Sequence, residues 1–345
     1  MERAAVSVVL NKNTKEFSQL QKFVERKSSI KVDAIKIIKN GRNSQVFLIG
    51  EGDKKWIIKK YHKDKNDTRS RLLNETCFLA YLKDMNINKV ADTLAVDKKN
   101  NLALFTFLPG SQPTVVNDDL VIQASNFIKK INKSRNKIEA KSLPKASESC
   151  FSVLSHIQLL RFRLKSLNKI ETDLPIQKEA LSFIKSSLNP SLKKITDIIL
   201  SKYSDSKLKK VLKDESKILS PSDFGFQNML LENGTIFFLD FEYAGWDDPA
   251  KLICDFGCHP EVTVEDRYVR SFQESLYSWL HDAKETIDRS EVLMKLYRLK
   301  WCCIILNNFT SVGKERRIHA GEIENYEQQF SKAKTYFERY LSWLT

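Results

Sequence analysis

Short apolar runs broken by turn residues fill the first hundred positions, and longer repeats of helical period follow them. The opening thirty residues read as an amphipathic helix or arm. From Asp33 to Tyr61, "DAIKIIKNGRNSQVFLIGEGDKKWIIKKY" alternates apolar runs with glycine-containing turns, which predicts two or three antiparallel strands. "RSRLLNETCFLAYLKDM" carries Leu72, Leu73, Phe78, Leu79 and Leu82 at helical spacing, and "LALFTFLPG" reads as a strand closed by Pro109-Gly110. Beyond residue 112 the spacing predicts helices, interrupted only by a hairpin over 220–242 and a loop around Pro144. Tyr268, Phe272, Leu276 and Trp279 form one helical stripe, and "LMKLYRLKWCCIILNNF" is apolar nearly all round, as a buried helix is. No internal repeat or low-complexity tract breaks this order. The expectation is an α+β chain of two lobes: a small antiparallel sheet with one helix over 1–108, and a larger, mostly helical lobe over 109–345.

The hairpin is where the pattern acquires chemistry. In "SPSDFGFQNMLLENGTIFFLDFE", Asn233-Gly234 lies between two apolar runs, the strongest local signal for a two-residue turn. That centre sets residue 228 opposite 239, so Asn228 and Asp240 are diagonal neighbours at the open end. Asp223, on the loop feeding the first strand, can return to the same end. An amide and a carboxylate converging as oxygen donors suit a hard cation such as magnesium, and a further acid can take a proton from a hydroxyl. A polar hairpin mouth without chemistry is the plain alternative. In the small lobe, "NGRNSQVF" is a turn whose backbone N–H groups can face phosphates, although Gly41 is its single glycine. "WIIKKY" sets Ile57, Lys59 and Tyr61 on one strand face and Trp56, Ile58 and Lys60 on the other. A lysine ending an apolar strand can hold phosphates as a point charge or simply stand in water. Glu75, amid the apolar pattern of the next helix, offers that lysine a partner.

Composition narrows the classes. The chain has 345 residues, 42% hydrophobic and 29% charged, an ordinary globular balance. No apolar run approaches the length of about 18 residues that spans a bilayer. The start "MERAAVSVVLNKN" lacks a basic segment and a small-residue cleavage site, so a cytoplasmic, unsecreted protein without membrane contact is expected. Six cysteines do not make a disulfide scaffold; Cys254, Cys258 and His259 offer a zinc alternative to reduced core thiols, without a second pair to complete it. The net charge of +14 comes mostly from scattered lysines with no zinc-finger or arginine-rich signature, so a solvated surface is expected and no nucleic-acid partner.

Taken in order, these features resemble the aminoglycoside phosphotransferase and choline kinase superfamily of small-molecule kinases, over roughly residues 35–310. "SDFGFQNMLL…FFLDFEYAGWDDPAKL" is similar to that family's catalytic loop and metal segment, "RSRLLNETCFLAYL" to its small-lobe helix and "LALFTFLPG" to its hinge. The resemblance implies a protein-kinase-like fold and an ATP- and Mg2+-dependent kinase that phosphorylates a hydroxyl of a small polar metabolite: a sugar, an amino alcohol or an aminoglycoside-like compound. It implies Asp223 as catalytic base, Asn228 and Asp240 as magnesium ligands, and Lys59 on the α- and β-phosphates, paired with Glu75. Lys60 is the alternative, one residue out of register. Asn43 and Ser44 would lie at the tip of the phosphate loop, and backbone near Phe107 and Leu108 would receive adenine. Glu242 matches the second acid of the metal segment, and Asp248-Pro249 reads as a helix cap. Trp301, Asn307 and Asn308 are acceptor-site candidates that packing explains nearly as well. One departure stands out: the family usually has a histidine two residues before the base, where this chain has Pro221. That motivates the alternative of a catalytically inactive, pseudokinase-type nucleotide-binding module. The acceptor and the oligomeric state are not legible.

Overall fold

The computed structural model describes residues 8–38, 44–51, 54–62, 70–320 and 325–344. The alternating segments of the first hundred residues pair as one six-stranded sheet in the order β1-β2-β3-β4-β6-β5. Its strands are β1 (Val8–Val9), β2 (Ala34–Ile38), β3 (Ser44–Glu51), β4 (Lys54–Tyr61), β5 (Thr93–Asp97) and β6 (Leu102–Thr106). Every pairing is antiparallel. Helix α1 (Lys15–Lys27), capped by the Thr14 hydroxyl, covers one face with Phe17, Leu20, Phe23 and Val24 against Ile35, Phe47, Ile49 and Ile58. The small lobe therefore has two helices. The second, α2 (Arg71–Asp84), is the one expected from the leucine spacing, with Ser70 as its cap. Strands β1 and β5 escaped the sequence reading: β1 has only two residues, and in β5 a register shift between Thr93 and Ala95 breaks the period-2 alternation.

The larger part is helical. After α3 (Asp118–Asn132) and the single turn α4 (Ile138–Lys141) come α5 (Val153–Leu167), α6 (Pro175–Phe183), α7 (Asn189–Lys202) and α8 (Asp205–Lys209). Beyond the hairpin lie α9 (Pro249–Cys258), α10 (Asp266–Tyr277), α11 (Ala283–Ile305), α12 (Ser311–Ala320) and α13 (Tyr326–Leu341). The apolar segment around Cys302-Cys303 is indeed a buried helix, part of α11. Two ribbons interrupt this region where one was expected. Strand β7 (Ile218–Ser220) pairs with β10 (Gly245–Asp247), and β8 (Met229–Glu232) pairs with β9 (Thr235–Phe238). The additional ribbon clamps both ends of the segment 221–244 together, Ser220 opposite Gly245.

Chain reversal between the lobes runs through Pro109-Gly110. Gly110 has φ +103°, and a Cβ there would meet the Leu231 carbonyl oxygen at 2.6 Å. Only glycine permits this approach, which lets Ser111 exchange backbone hydrogen bonds with Leu231 of β8 at 3.2 and 2.8 Å. Among the described residues no helix is long and apolar enough to cross a membrane.

Candidate active site

The Asn-Gly turn forms as its sequence dictates: Asn233 and Gly234 have φ of +48° and +76°, and Met229 faces Phe238. Residue 228 consequently lies opposite 239, and the Leu239 N–H donates to the Asn228 carbonyl at 3.0 Å. The preceding loop does return to this end. The Asn228 side-chain amide donates to the Asp223 carbonyl at 2.8 Å and to its carboxylate at 3.2 Å. With its NH2 so engaged, Asn228 keeps its amide oxygen as an acceptor.

Phenylalanines hold the hairpin from below. Phe224 and Phe226, on either side of Gly225, are buried. Phe226 lies 5.5 Å from Phe256 of α9, and Phe127 of α3 stacks on Phe238 of β9 at 3.8 Å between ring centres. Phe241 stacks at 5.4 Å on Phe78 of α2, which connects the segment to the small lobe. The loop's polar residues are thus presented by an apolar foundation that cannot rotate freely.

From the opposite lobe comes Lys59. Its ammonium is 2.8 Å from Glu75, 2.5 Å from Asp240 and 3.3 Å from Glu242. The strand register places it so: Lys59 faces Ala103 of β6, while Lys60, on the other face, pairs with Glu16 of α1 at 2.6 Å. This resolves the one-residue ambiguity in the position of the buried lysine. Burial works to lower the Lys59 pKa, but Asp240, Glu75 and Glu242 outweigh it and hold the ammonium charged, well above its ordinary value. Glu75 receives more than the lysine. The Tyr61 hydroxyl donates to it at 2.7 Å and the Phe241 N–H at 3.3 Å, so α2, β4 and the acidic segment meet on one carboxylate.

Burial pushes the Asp240 carboxyl up to about 7, with Glu242 and Glu75 adding to the rise and Lys59 opposing it. Asp240 also has φ +63°, a left-handed backbone that a β-carbon makes costly. Burial would raise Glu242 too, but Lys59 and Arg71 and a 3.0 Å hydrogen bond from Ser44 bring it below its ordinary range.

These groups fit a divalent cation. Carboxylate oxygens of Glu75, Asp240 and Glu242 lie within 4.8 Å of one another, and this is the acidic cluster that the described residues offer. Glu242 is 1% exposed, yet its Oε1 has no hydrogen-bond partner among the described residues. Hard oxygen donors at this spacing suit magnesium. Cys254 and Cys258 are buried core thiols, Cys254 against the Ser290 carbonyl at 3.5 Å and Cys258 against the Met294 sulfur at 3.2 Å, and with His259 they form no such ligand cluster among the described residues.

Other expected positions are placed differently. Ser44 does not lie at a loop tip; it opens β3 and is buried, its hydroxyl engaged by Glu242. Asn43 is outside the described residues. Phe107 and Leu108 follow the end of β6, Phe107 half exposed with the Lys55 ammonium 5.6 Å over its ring. Trp301 and Asn308 are buried, Trp301 edge-on against His259 at 4.4 Å within the helical core, where packing accounts for it. Asp248 caps α9 as expected, accepting from the Ala250 N–H at 2.8 Å.

Glu242 proves more central than its sequence position suggested, and Tyr61 and Lys251 had not been singled out. Tyr61 shares a strand face with Lys59. Lys251 stands four residues from Asp255, one turn further along α9, and four from Asp247, the last residue of β10.

Comparison with known proteins now decides the family. The phosphotransferase enzyme family matches residues 34–276. The chain belongs to that family. Solved structures agree in fold. A spectinomycin phosphotransferase in complex with ADP and spectinomycin superposes with a TM-score of 0.62 at 14% identity, covering 94% of each chain. The Plasmodium vivax ethanolamine kinase gives 0.59 at 15% identity, covering 95% of this chain and 89% of its own. The choline kinase of Cryptosporidium parvum gives 0.53 at 15%, covering 90% and 92%. No curated protein matches the sequence. The phosphotransferase is thus a two-lobed, kinase-like enzyme.

Proposed function

We propose that this phosphotransferase moves the γ-phosphoryl group of ATP to a hydroxyl of a small polar acceptor. The observation carrying the proposal is the convergence of Asp223 and Asn228 at one hairpin mouth with the Lys59–Glu75 pair and Asp240. Asp223 is the base that accepts the acceptor's hydroxyl proton. Asn228 and Asp240 would hold magnesium, which when bound neutralises phosphate charge. Lys59, kept in place by Glu75, exchanges its contact with Asp240 for the α- and β-phosphates. Backbone at Phe107 and Leu108 would receive adenine. Catalysis in this reading is mostly positioning and charge neutralisation. The similar structures, a spectinomycin phosphotransferase, a choline kinase and an ethanolamine kinase, support a small hydroxyl compound as substrate class.

The test is a product search. Protein with magnesium-ATP and a pool of polar metabolites is followed by mass spectrometry for a compound gaining one phosphoryl group. Asp223→Asn is expected to slow its formation by about 10²–10⁴-fold while nucleotide still binds. Folded protein that binds nucleotide but yields no such product from a broad pool overturns the kinase reading in favour of a binding module.

A further inference from the structure

Directly beneath the candidate base lies a second charged cluster, which the phosphoryl transfer does not use. Lys251 of α9 is 1% exposed. Its ammonium lies 2.7 Å from Asp247, 2.8 Å from Asp255 and 2.8 Å from the hydroxyl of Ser222, with the Ser222 carbonyl at 3.4 Å. Burial works to strip the lysine of its proton, but the two carboxylates outweigh it and keep the ammonium charged. Replacing such a cluster by apolar side chains generally costs a fold nothing and can stabilise it, so stability alone does not explain a lysine here.

What the cluster grips is the residue preceding Asp223. Ser222 has φ +71°, a left-handed conformation costly for any side chain with a β-carbon. Its N–H donates to the Ser220 hydroxyl at 2.9 Å, and its own hydroxyl donates to the Ser147 carbonyl at 3.1 Å while accepting from Lys251. The anchor is rigid in turn. Asp248, which caps α9, is held by Arg289 at 2.6 Å and by His156 at 3.1 Å, both from other helices. Pro221, two residues before the base, has no side-chain donor with which to hold this loop.

We propose that Lys251 is the positioning residue of the catalytic loop: fixed by Asp247 and Asp255, it locks Ser222 in its left-handed conformation and thereby aims Asp223. The effect on turnover rests on the phosphotransfer reading above; the hold on the loop does not.

The test uses the full chain and four variants. Ser222→Ala removes the contact and leaves the ion cluster whole. Lys251→Met strands two buried acids and can unfold the protein, so the charge-neutral D247N/K251M/D255N variant accompanies it. Amide hydrogen exchange over residues 222–228 is expected to quicken about tenfold or more in the neutral variant and in Ser222→Ala, with α11 unchanged. Turnover is expected to fall about 10- to 100-fold, with the KM for ATP moving less than about twofold. Adding Ser222→Ala to the neutral variant should then cost less than the product of the two separate losses, because both remove the Lys251–Ser222 contact, and only the Ser222 hydroxyl's bond to Ser147 is additional. Unchanged loop exchange overturns the proposal, as does a loss that tracks only the folded fraction, appears in KM, or multiplies in the combined variant. A wild type without turnover removes the kinase reading alone, since loop exchange still decides whether Lys251 holds the loop.

Discussion

Lys59 faces three carboxylates at once, and its neighbours' charges make the effect of each substitution predictable in sign. Three acids face Lys59 itself, with Arg71 contributing a second cation to Glu242. Removing the lysine leaves buried, uncompensated anions: Lys59→Met should destabilise the protein by about 3–5 kcal/mol. Asp240→Asn removes one member of an acidic surplus whose pKa burial pushes up to about 7. A group raised in this way favours folding less as pH rises through that value. Asp240→Asn should therefore leave the melting temperature at pH 7.5 unchanged or higher while abolishing turnover. Thermal melts of ligand-free protein check both; a clear drop for Asp240→Asn would show that its bond to Lys59 outweighs the repulsion. The identity of this lysine was ambiguous in "WIIKKY", because alternation assigns faces without saying which face meets the other lobe.

At the scale of elements, the hairpin was the most legible part of the chain and its foundation the least. Asn233-Gly234 encodes its turn locally, so the register placing 228 opposite 239 followed from sequence. Phe224 and Phe226 are local in sequence, but their partners Phe256 and Phe272 come from α9 and α10, which no local pattern reveals. Because Phe226 is fully buried in that stack, Phe226→Ala should cost about 3–5 kcal/mol, read as a shifted urea midpoint. A loss below about 1 kcal/mol would mean that the loop stands without its aromatic support. Ribbon β7–β10 escaped detection because its three-residue strands are separated by the whole segment 221–244.

For the whole molecule, the buried polar layer under the catalytic loop gives stability a pH dependence. The His156 Nε2–H donates to Asp248 and its Nδ1 accepts from the Tyr297 hydroxyl at 2.9 Å, the tautomer that this network selects. Burial lowers the His156 pKa below its ordinary 6.5 despite the pull of Asp248. A base depressed by folding binds its proton more readily when unfolded, so its contribution is present above pH 6.5 and lost as pH falls below it. His156→Gln keeps a donor and an acceptor but no titration. Its stability deficit against wild type should narrow between pH 7.5 and 5.5 in paired denaturant curves; a constant gap would place the proton elsewhere. The +14 charge plays no part here, since it resides largely in scattered lysines.

By itself the sequence determined the local structure: the Asn-Gly turn, the helix cap at Asp248, the strand faces of β4, and through its motif order the phosphotransferase family. Those depend on φ preferences, capping groups and periodicity, each complete within a dozen residues. The tertiary structure decided which lysine meets the acids, that Ser44 bonds Glu242, and that Lys251 reaches Ser222. Those contacts span 16 to 198 residues, and only packing of α2 on the sheet, of the two lobes and of α9 beneath the hairpin brings their partners within bonding distance.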